Sequence, residues 1–237
     1  MNLTRAGEII CDVVLTLAYP QICVICGRSV EQRRFGVACE SCWKETRIFT
    51  DEDEICSKCG SPGPPACGRC EVMAFTAARA AGTYREALRE SALMLKRQPH
   101  LPQHVEDLLV AAALRVPLSV STRVVPVPLH PKRLKTRGFN QAAVIAETVS
   151  KALELPLDEV SLVRVSSPEK YRAGLDVKGR RDTVAGAFEV DHPRLVAGED
   201  ILLVDDVFTT GATVSACAEV LLEAGAKSVF VLTLARA

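Results

Sequence analysis

Hydrophobic and polar positions divide the chain into two regimes that meet close to Val72. Residues 21–72 are polar, cysteine-rich and broken by the run Ser61-Pro62-Gly63-Pro64-Pro65, with no apolar period long enough to make a core. From Phe75 onward Ala, Leu and Val dominate and helix and strand periods alternate. Residues 85–97 set Leu88, Ala92 and Leu95 on one helical face, 104–115 predict a second helix, and 140–154 align Ala142, Ile145, Ala146, Val149 and Leu153. Between them, 75–84 is an extended segment. Val124-Val125-Pro126-Val127-Pro128 is an extended run whose prolines cannot donate to a ladder. Leu162–Val165 predicts a short strand, followed by a long polar stretch over 166–185. Ile201–Val204 is apolar at every position, as in a strand buried on both faces. A helix follows with Val214, Cys217, Ala218, Leu221 and Leu222 in step, ending at Gly225 as a C-cap, and Ser228–Leu234 closes as a last strand. This alternation predicts an α/β fold, a doubly wound and mainly parallel sheet.

The N-terminal stretch adds a third segment. Ile9, Ile10, Val13, Val14 and Leu17 share a helical face, which predicts a short amphipathic helix docked on its own protein, with peripheral contact at the inner face of a membrane as the alternative. The apolar run Ile9–Tyr19 is too short to span a bilayer, contains Asp12 and lacks the small-residue cleavage site of a signal peptide. The expected organisation is therefore 1–20 helix, 21–72 cysteine module and 73–237 α/β domain, with the cytoplasm as compartment. Across 237 residues, 48% hydrophobic and 24% charged content is globular, and a formal net charge of zero nominates no polyanionic partner. Locally the balance differs: Ser121 to Asp182 holds twelve Lys and Arg against seven Asp and Glu, a segment that either faces phosphates or is an ordinary solvated surface.

Eight of ten cysteines form four Cys-x-x-Cys pairs: Cys23/Cys26, Cys39/Cys42, Cys56/Cys59 and Cys67/Cys70. A two-residue spacer lets a tight turn aim two thiolates at one tetrahedral ion, and two turns complete its shell. The first and third pairs are each followed by glycine, Gly27 and Gly60, which supply positive φ as a knuckle turns back. That rhythm predicts two successive ribbons, Cys23/Cys26/Cys39/Cys42 and Cys56/Cys59/Cys67/Cys70, each closed on a structural zinc ion. Disulfides, redox pairs and an iron–sulfur cluster are the competing assignments. Cys11 and Cys217 lie on apolar helical faces as packing residues.

The most informative stretch runs from Ile201 through Asp205 and Asp206 to Thr209, Thr210, Gly211, Ala212 and Thr213. A buried strand delivers two adjacent carboxylates to the carboxyl edge of the sheet, where open α/β sheets bind ligands. The hydroxyl-rich turn that follows feeds a helix N-terminus, whose free N–H groups and dipole suit a phosphate. Carboxylates beside it suit hydroxyl donors, a divalent ion, or both. Phosphate and vicinal diol on one small molecule describe a ribose 5-phosphate. An apolar strand with Asp-Asp also describes a Walker B element, but that needs an upstream G-x-x-x-x-G-K-[ST], which the sequence lacks.

These residues carry a resemblance. Val204–Thr213 is similar to the signature of type I phosphoribosyltransferases. With the paired cysteines and the run from Val125 through Arg137-Gly138-Phe139-Asn140-Gln141, the chain resembles the ComF family of competence proteins. The resemblance implies that Asp205 and Asp206 hold the ribose hydroxyls and are the candidate catalytic pair, and that Thr209 to Thr213 cradle the 5′-phosphate. It implies that the loop after Val125, with Arg133, Lys135 and Arg137, faces the diphosphate. Residues 166–183, with Lys170 and Arg172, match a loop that closes over substrate in active relatives. Implied ligands are phosphoribosyl diphosphate with Mg²⁺, besides zinc; implied partners are single-stranded DNA and the competence machinery. The sequence departs from the family at Phe208, larger than the usual aliphatic, at Arg172 where Gln is common, and at Thr183 where Asn is common.

Two functions follow from different classes. One is a phosphoribosyltransferase, displacing diphosphate from C1 of the sugar with catalysis by positioning and charge stabilisation. The other is an accessory module for imported single-stranded DNA without turnover, in which ribbons and the basic 130–181 stretch track a backbone. Aromatics for stacking are few: Phe35, Trp43, Phe49, Phe139 and Tyr171. His100, His104 and His192 are expected at the surface or as caps, and His130 in an ordinary loop role.

Overall fold

The computed structural model describes residues 20–68, 70–165 and 186–237. The expected amphipathic helix over 9–19, Cys11, and the loop residues Lys170, Tyr171, Arg172 and Thr183 lie outside the described residues. Four parallel strands form the sheet in the order β1 (Ala77–Thr83), β6 (Ser228–Arg236), β5 (Asp200–Phe208), β2 (Arg123–Pro126). Helices α2 (Glu86–Leu95), α3 (Gln103–Leu114) and α5 (Gln141–Leu153) follow the predicted periods closely. Their side chains Leu88, Leu95, Val105, Leu109, Ile145 and Val149 cover one face of the sheet, against Leu202, Val204 and Leu232. The other face, with Ile201, Leu203 and Val231, is covered by α7 (Ala212–Glu223) and by an antiparallel pair, β3 (Leu162–Arg164) with β4 (Phe188–Val190). Strand β4 and the short helix α6 (Pro193–Val196) have no strong period, and the sequence did not announce them.

Two expectations change. The run after Val125 was expected to be a loop; Pro131–Arg137 is helix α4, started by Pro131 at its first turn and stopped by Gly138 in the left-handed region at φ 84°. Strand β5 was expected to end at Val204; it continues to Phe208 because β6 carries on pairing beside it after β2 has stopped at Pro126. Pro126, the last residue of β2, is tolerated because β2 is an edge strand. Gly225 behaves as expected, following α7 at φ 97°.

The cysteine segment does not stand apart. Its first half, with Val30, Val37, Ala38 and Trp43, joins the core on the face of α2 and α3, next to helix α1 (Glu40–Glu45). Its second half, with Cys56, Cys59 and Cys70, joins the core on the face of α7. His104, expected at the surface or as a cap, instead packs edge-on between Phe35 and Trp43, with ring centroids 5.3 and 4.6 Å away. His100 is exposed, and His192 takes the N-cap position of α6 without a side-chain bond. No helix among the described residues is long and apolar enough to cross a membrane.

The segment between the two halves seals the free edge of β1. Phe49 N donates to Ala81 O at 2.9 Å, Thr83 N donates to Arg47 O at 3.0 Å, and Ile48 bridges Gly82. This covers the strand edge that would otherwise pair with another chain. Gly82 permits the crossing, since a Cβ there would strike the Arg47 carbonyl and stand 2.6 Å from Leu88 Cδ1. Gly82→Ala is expected to lower stability by about 1–3 kcal/mol, the range for overpacking, in urea titrations. Unchanged stability would show that the crossing has slack.

Candidate functional site

Each half of the cysteine segment repeats one geometry. Gly27 N donates to Cys23 O at 2.9 Å and Cys23 N to Arg28 O at 2.8 Å; Gly60 N donates to Cys56 O at 2.9 Å and Cys56 N to Ser61 O at 2.8 Å. Antiparallel bridges Ile22–Ser29 and Ile55–Pro62 close both knuckles. Gly27 and Gly60 sit at φ 73° and 67°, as their spacing predicted. The sulfurs gather as Cys23, Cys26, Cys39 and Cys42, and as Cys56, Cys59, Cys67 and Cys70, each set within 4.8 Å. Neighbouring sulfurs stand 3.5–3.7 Å apart. A tetrahedron with Zn–S bonds of about 2.3 Å requires edges of about 3.8 Å, so both sets fit zinc. These separations are far longer than the roughly 2.05 Å of a disulfide and suit a shared ion instead. Two Cys₄ sites therefore stand ready for structural zinc, with no ligand position left for water.

The second centre lies at the carboxyl end of β5. Beyond Val204 the strand has β6 on one side only, and the amides of Asp206 and Val207 are taken by carboxylates: Asp206 N donates to Asp205 Oδ1, and Val207 N to Asp206 Oδ1, both at 2.8 Å. The two carboxylates leave the strand on opposite faces. Asp206 is buried, and its Oδ2 pairs with Lys96 Nζ at 3.1 Å, just past the end of α2. Asp205 is half-buried on the α7 face, where its charge is felt by Cys217 and Arg164. Burial first, and the neighbouring Asp206 second, push the Asp205 carboxyl up to about 8.

A concavity of about 30 Å³ opens beside Asp205, lined by Thr209, Gly211, Ala212 and Thr213 together with Val207, Phe208 and Val214. Gly211 holds φ 79° at the N-cap of α7, where it offers no side chain of its own. The helix's first-turn amides and dipole therefore point their positive end toward an anion rather than toward a protein carboxylate. Thr209 and Thr210 are exposed, and Thr210 Oγ1 accepts from Ala212 N at 3.4 Å. Of the predicted ribose-phosphate residues, the concavity thus brings together Asp205, Thr209, Gly211, Ala212 and Thr213. Asp206 stands across the strand, and Thr210 is not part of the lining.

The basic segment is ordered by its own motif. His130 caps α4, its Nδ1 accepting from Lys132 N at 3.1 Å. Asn140 caps α5 by accepting from Ala142 N at 3.1 Å, while its Nδ2 donates to Val127 O at 3.0 Å. Arg137 donates to Gln141 Oε1. The Arg137–Gln141 run is thus a helix stop, a helix start and a clamp on the end of β2. Arg133 and Lys135 are exposed on α4. Arg133 and Asp205 both act on Arg164, which lies over the Phe188 ring at 5.2 Å; burial, then Arg133, holds its guanidinium below the usual value, and Asp205 opposes them. Lys96 and Arg164 escaped the sequence analysis. Neither belongs to a motif, and only the closing of α2 and β3 onto the sheet end brings them near the carboxylates.

Residues 14–73 match the double zinc ribbon domain family and residues 140–237 match the phosphoribosyl transferase domain family. The chain is 29% identical to the DNA utilization protein YhgH of Escherichia coli K12, over 93% of this chain and 99% of that protein. It is 27% identical to competence protein F of Haemophilus influenzae, over 91% and 96%, and 29% identical to competence protein ComFC of Bacillus subtilis, over 84% and 83%.

Elemental analysis of the full chain is expected to find two zinc ions, falling to one in Cys42→Ser; a wild-type value of one would defeat the two-site geometry. The raised Asp205 also predicts a sign for stability against pH. In the unfolded chain the carboxyl titrates near its ordinary 3.8, and in the fold near 8, so the folded state holds the extra proton between them. Stability contributed by this group therefore falls as pH rises across that window. Asp205→Asn is expected to melt higher than the wild type at pH 8, by on the order of a few °C, with the gap closing toward pH 4.

Proposed function

We propose that this chain, a double zinc ribbon joined to a phosphoribosyl transferase domain, binds phosphoribosyl diphosphate at the carboxyl end of β5 and serves the handling of incoming DNA in the cytoplasm. One observation carries the binding: Asp205 and the glycine-led start of α7 share a single concavity at the sheet edge. Amides of the Gly211–Thr213 turn take the 5′-phosphate, with the hydroxyls of Thr209 and Thr213 beside them. Asp205, on the concavity's side of the strand, accepts from the ribose hydroxyls, while Asp206, paired with Lys96 across the strand, is assigned to the same sugar from the sequence. Arg133, Lys135 and Arg137 supply positive charge toward the diphosphate, with Lys170 and Arg172 assigned to the same task from the sequence. Hard carboxylate oxygens also suit Mg²⁺, which neutralises diphosphate charge when bound. The DNA role rests on the names of the relatives, two competence proteins and a DNA utilization protein.

As a transferase, the protein would break the bond between C1 and the diphosphate oxygen while an acceptor forms a new bond at C1. Positive charge builds on the ribose in that step, and carboxylates at the strand end stabilise it once ionised. Asp205 and Asp206 then orient and compensate charge, and transfer no proton.

A single-stranded nucleic acid as ligand is supported by a separate observation. Lys132, Arg133, Lys135 and Arg137 crowd the seven-residue helix α4, which has no acidic residue and lies next to Phe139. Such a surface would contact phosphates and produce steep salt dependence.

Calorimetry with phosphoribosyl diphosphate and Mg²⁺ tests the main proposal. Asp205→Asn combined with Asp206→Asn is expected to weaken binding at least about a hundredfold, roughly 2.7 kcal/mol, with the fold retained. Affinity of the wild type is expected to rise from pH 6 to pH 8, because the ionised Asp205 carboxylate is the binding form. Unchanged affinity in the double variant would reject the site. For nucleic acid, binding of labelled single-stranded DNA should weaken steeply with salt, and a flat response would remove that ligand.

A further inference from the structure

We infer that the second zinc knuckle braces the phosphate-binding turn, and that Arg236 and Met73 are the positioning residues that connect them. The inference rests on taking 209–213 as the phosphate cradle. Gly211 is the weak point of that cradle. It holds a left-handed backbone with no side chain of its own to anchor it, so its position depends on what is packed around it. Two side chains meet there. A Cβ built on Gly211 would stand 2.7 Å from Phe208 Cζ and 3.0 Å from both Met73 Cε and Sδ, so ring and thioether lie directly against the bare backbone.

Both walls lead back to the same metal set. Phe208 lies under Arg236, whose guanidinium carbon is 4.3 Å from the ring centroid, while Phe75 meets the ring edge-on at 5.9 Å. Arg236 Nη1 donates to Cys59 O at 2.6 Å and Nη2 to Cys59 Sγ at 3.5 Å. On the other side, Met73 N donates to Cys70 O at 3.1 Å. The next residue, Ala74, donates its N–H to Ser215 Oγ at 3.0 Å, in the first turn of α7. Cys59 and Cys70 belong to one four-cysteine set, with sulfurs within 4.8 Å. A zinc ion on that set therefore fixes the bases of both arms relative to each other. The contacts close a ring: Cys59, Arg236, Phe208, Gly211, Met73, Cys70.

The electrostatics favour the same connection. Four thiolates on a divalent ion leave two net negative charges, and a guanidinium donating to one sulfur offsets part of that charge while orienting the ligand. The first knuckle provides an internal contrast. Arg28 Nε lies 3.4 Å from Cys26 Sγ in a comparable contact, but it is exposed, and that knuckle packs on the opposite face of the sheet from Phe208.

Hydrogen exchange of amides 207–214 on the zinc-loaded full chain reads the brace without any ligand, and calorimetry with phosphoribosyl diphosphate and Mg²⁺ reads its consequence. In Arg236→Gln and in Met73→Ala, with two zinc ions retained, exchange in 207–214 is expected to quicken about tenfold and affinity to fall about tenfold. Arg236→Lys keeps the charge but not the two-pronged contact with Cys59, and is expected to fall between wild type and Arg236→Gln. It also serves should Arg236→Gln lose its metal. Arg28→Ala is expected to leave both readouts unchanged. Wild-type exchange rates in Arg236→Gln or Arg236→Lys and in Met73→Ala would overturn the inference. If exchange responds but the wild type fails to bind phosphoribosyl diphosphate, the brace stands and the ribose-phosphate assignment falls.

Discussion

Strand β5 is the constraint around which this molecule is organised. It is an interior strand with both faces buried over Ile201–Val204, so its path is dictated by two cores at once. Consecutive side chains on such a strand must point to opposite faces. That rule carries through Asp205 and Asp206, which is why adjacent carboxylates have different surroundings. Asp206 is met by Lys96 from the helix-rich face, whereas Asp205 is left beside Arg164 and the turn before α7. Only one of the pair has a cation at ion-pair distance among the described residues, and the other is held toward its neutral form by burial and by its partner's charge.

The cysteine segment solves a different problem. A chain of this composition could not fold alone without metal, since it has few apolar residues to bury. Here its two repeated knuckles are neither independent nor adjacent in their packing. One shares a core with α2 and α3, and the other shares a core with α7, so the segment clasps the sheet from both faces. The strip between them, Arg47–Phe49, covers the free edge of β1 on the way. Metal binding and folding of the α/β part are thus coupled through shared burial rather than through a linker.

The turn at Thr209–Thr213 depends on both features. Its glycine and the helix start that follows it favour an anion, and both are local properties. Its exact placement is not local, because Phe208 and Met73 confine it from outside. Phe208, the departure from the usual aliphatic residue, has a physical account: the larger ring reaches Gly211 on one side and Arg236 on the other.

Much of this was legible from the sequence, for identifiable reasons. Periodicity located α2, α3, α5, α7 and the sheet strands because each buries an apolar face of sufficient length to dominate local preference. Cys-x-x-Cys spacing and the glycines after Cys26 and Cys59 defined both metal sets, since knuckle geometry is set within six residues. The strand–turn–helix containing Asp205 and Gly211 was equally visible, being contiguous. Other features depended on tertiary structure. Helix α4 hid in a proline-rich polar run, and β4 was too short to show a period. The ion pair of Lys96 with Asp206, the approach of Arg164 to Asp205 and the contact of Arg236 with Cys59 join residues far apart in the chain. Spacing along one segment encodes local turns and burial; which distant charges meet at the end of a strand is decided only when the sheet closes.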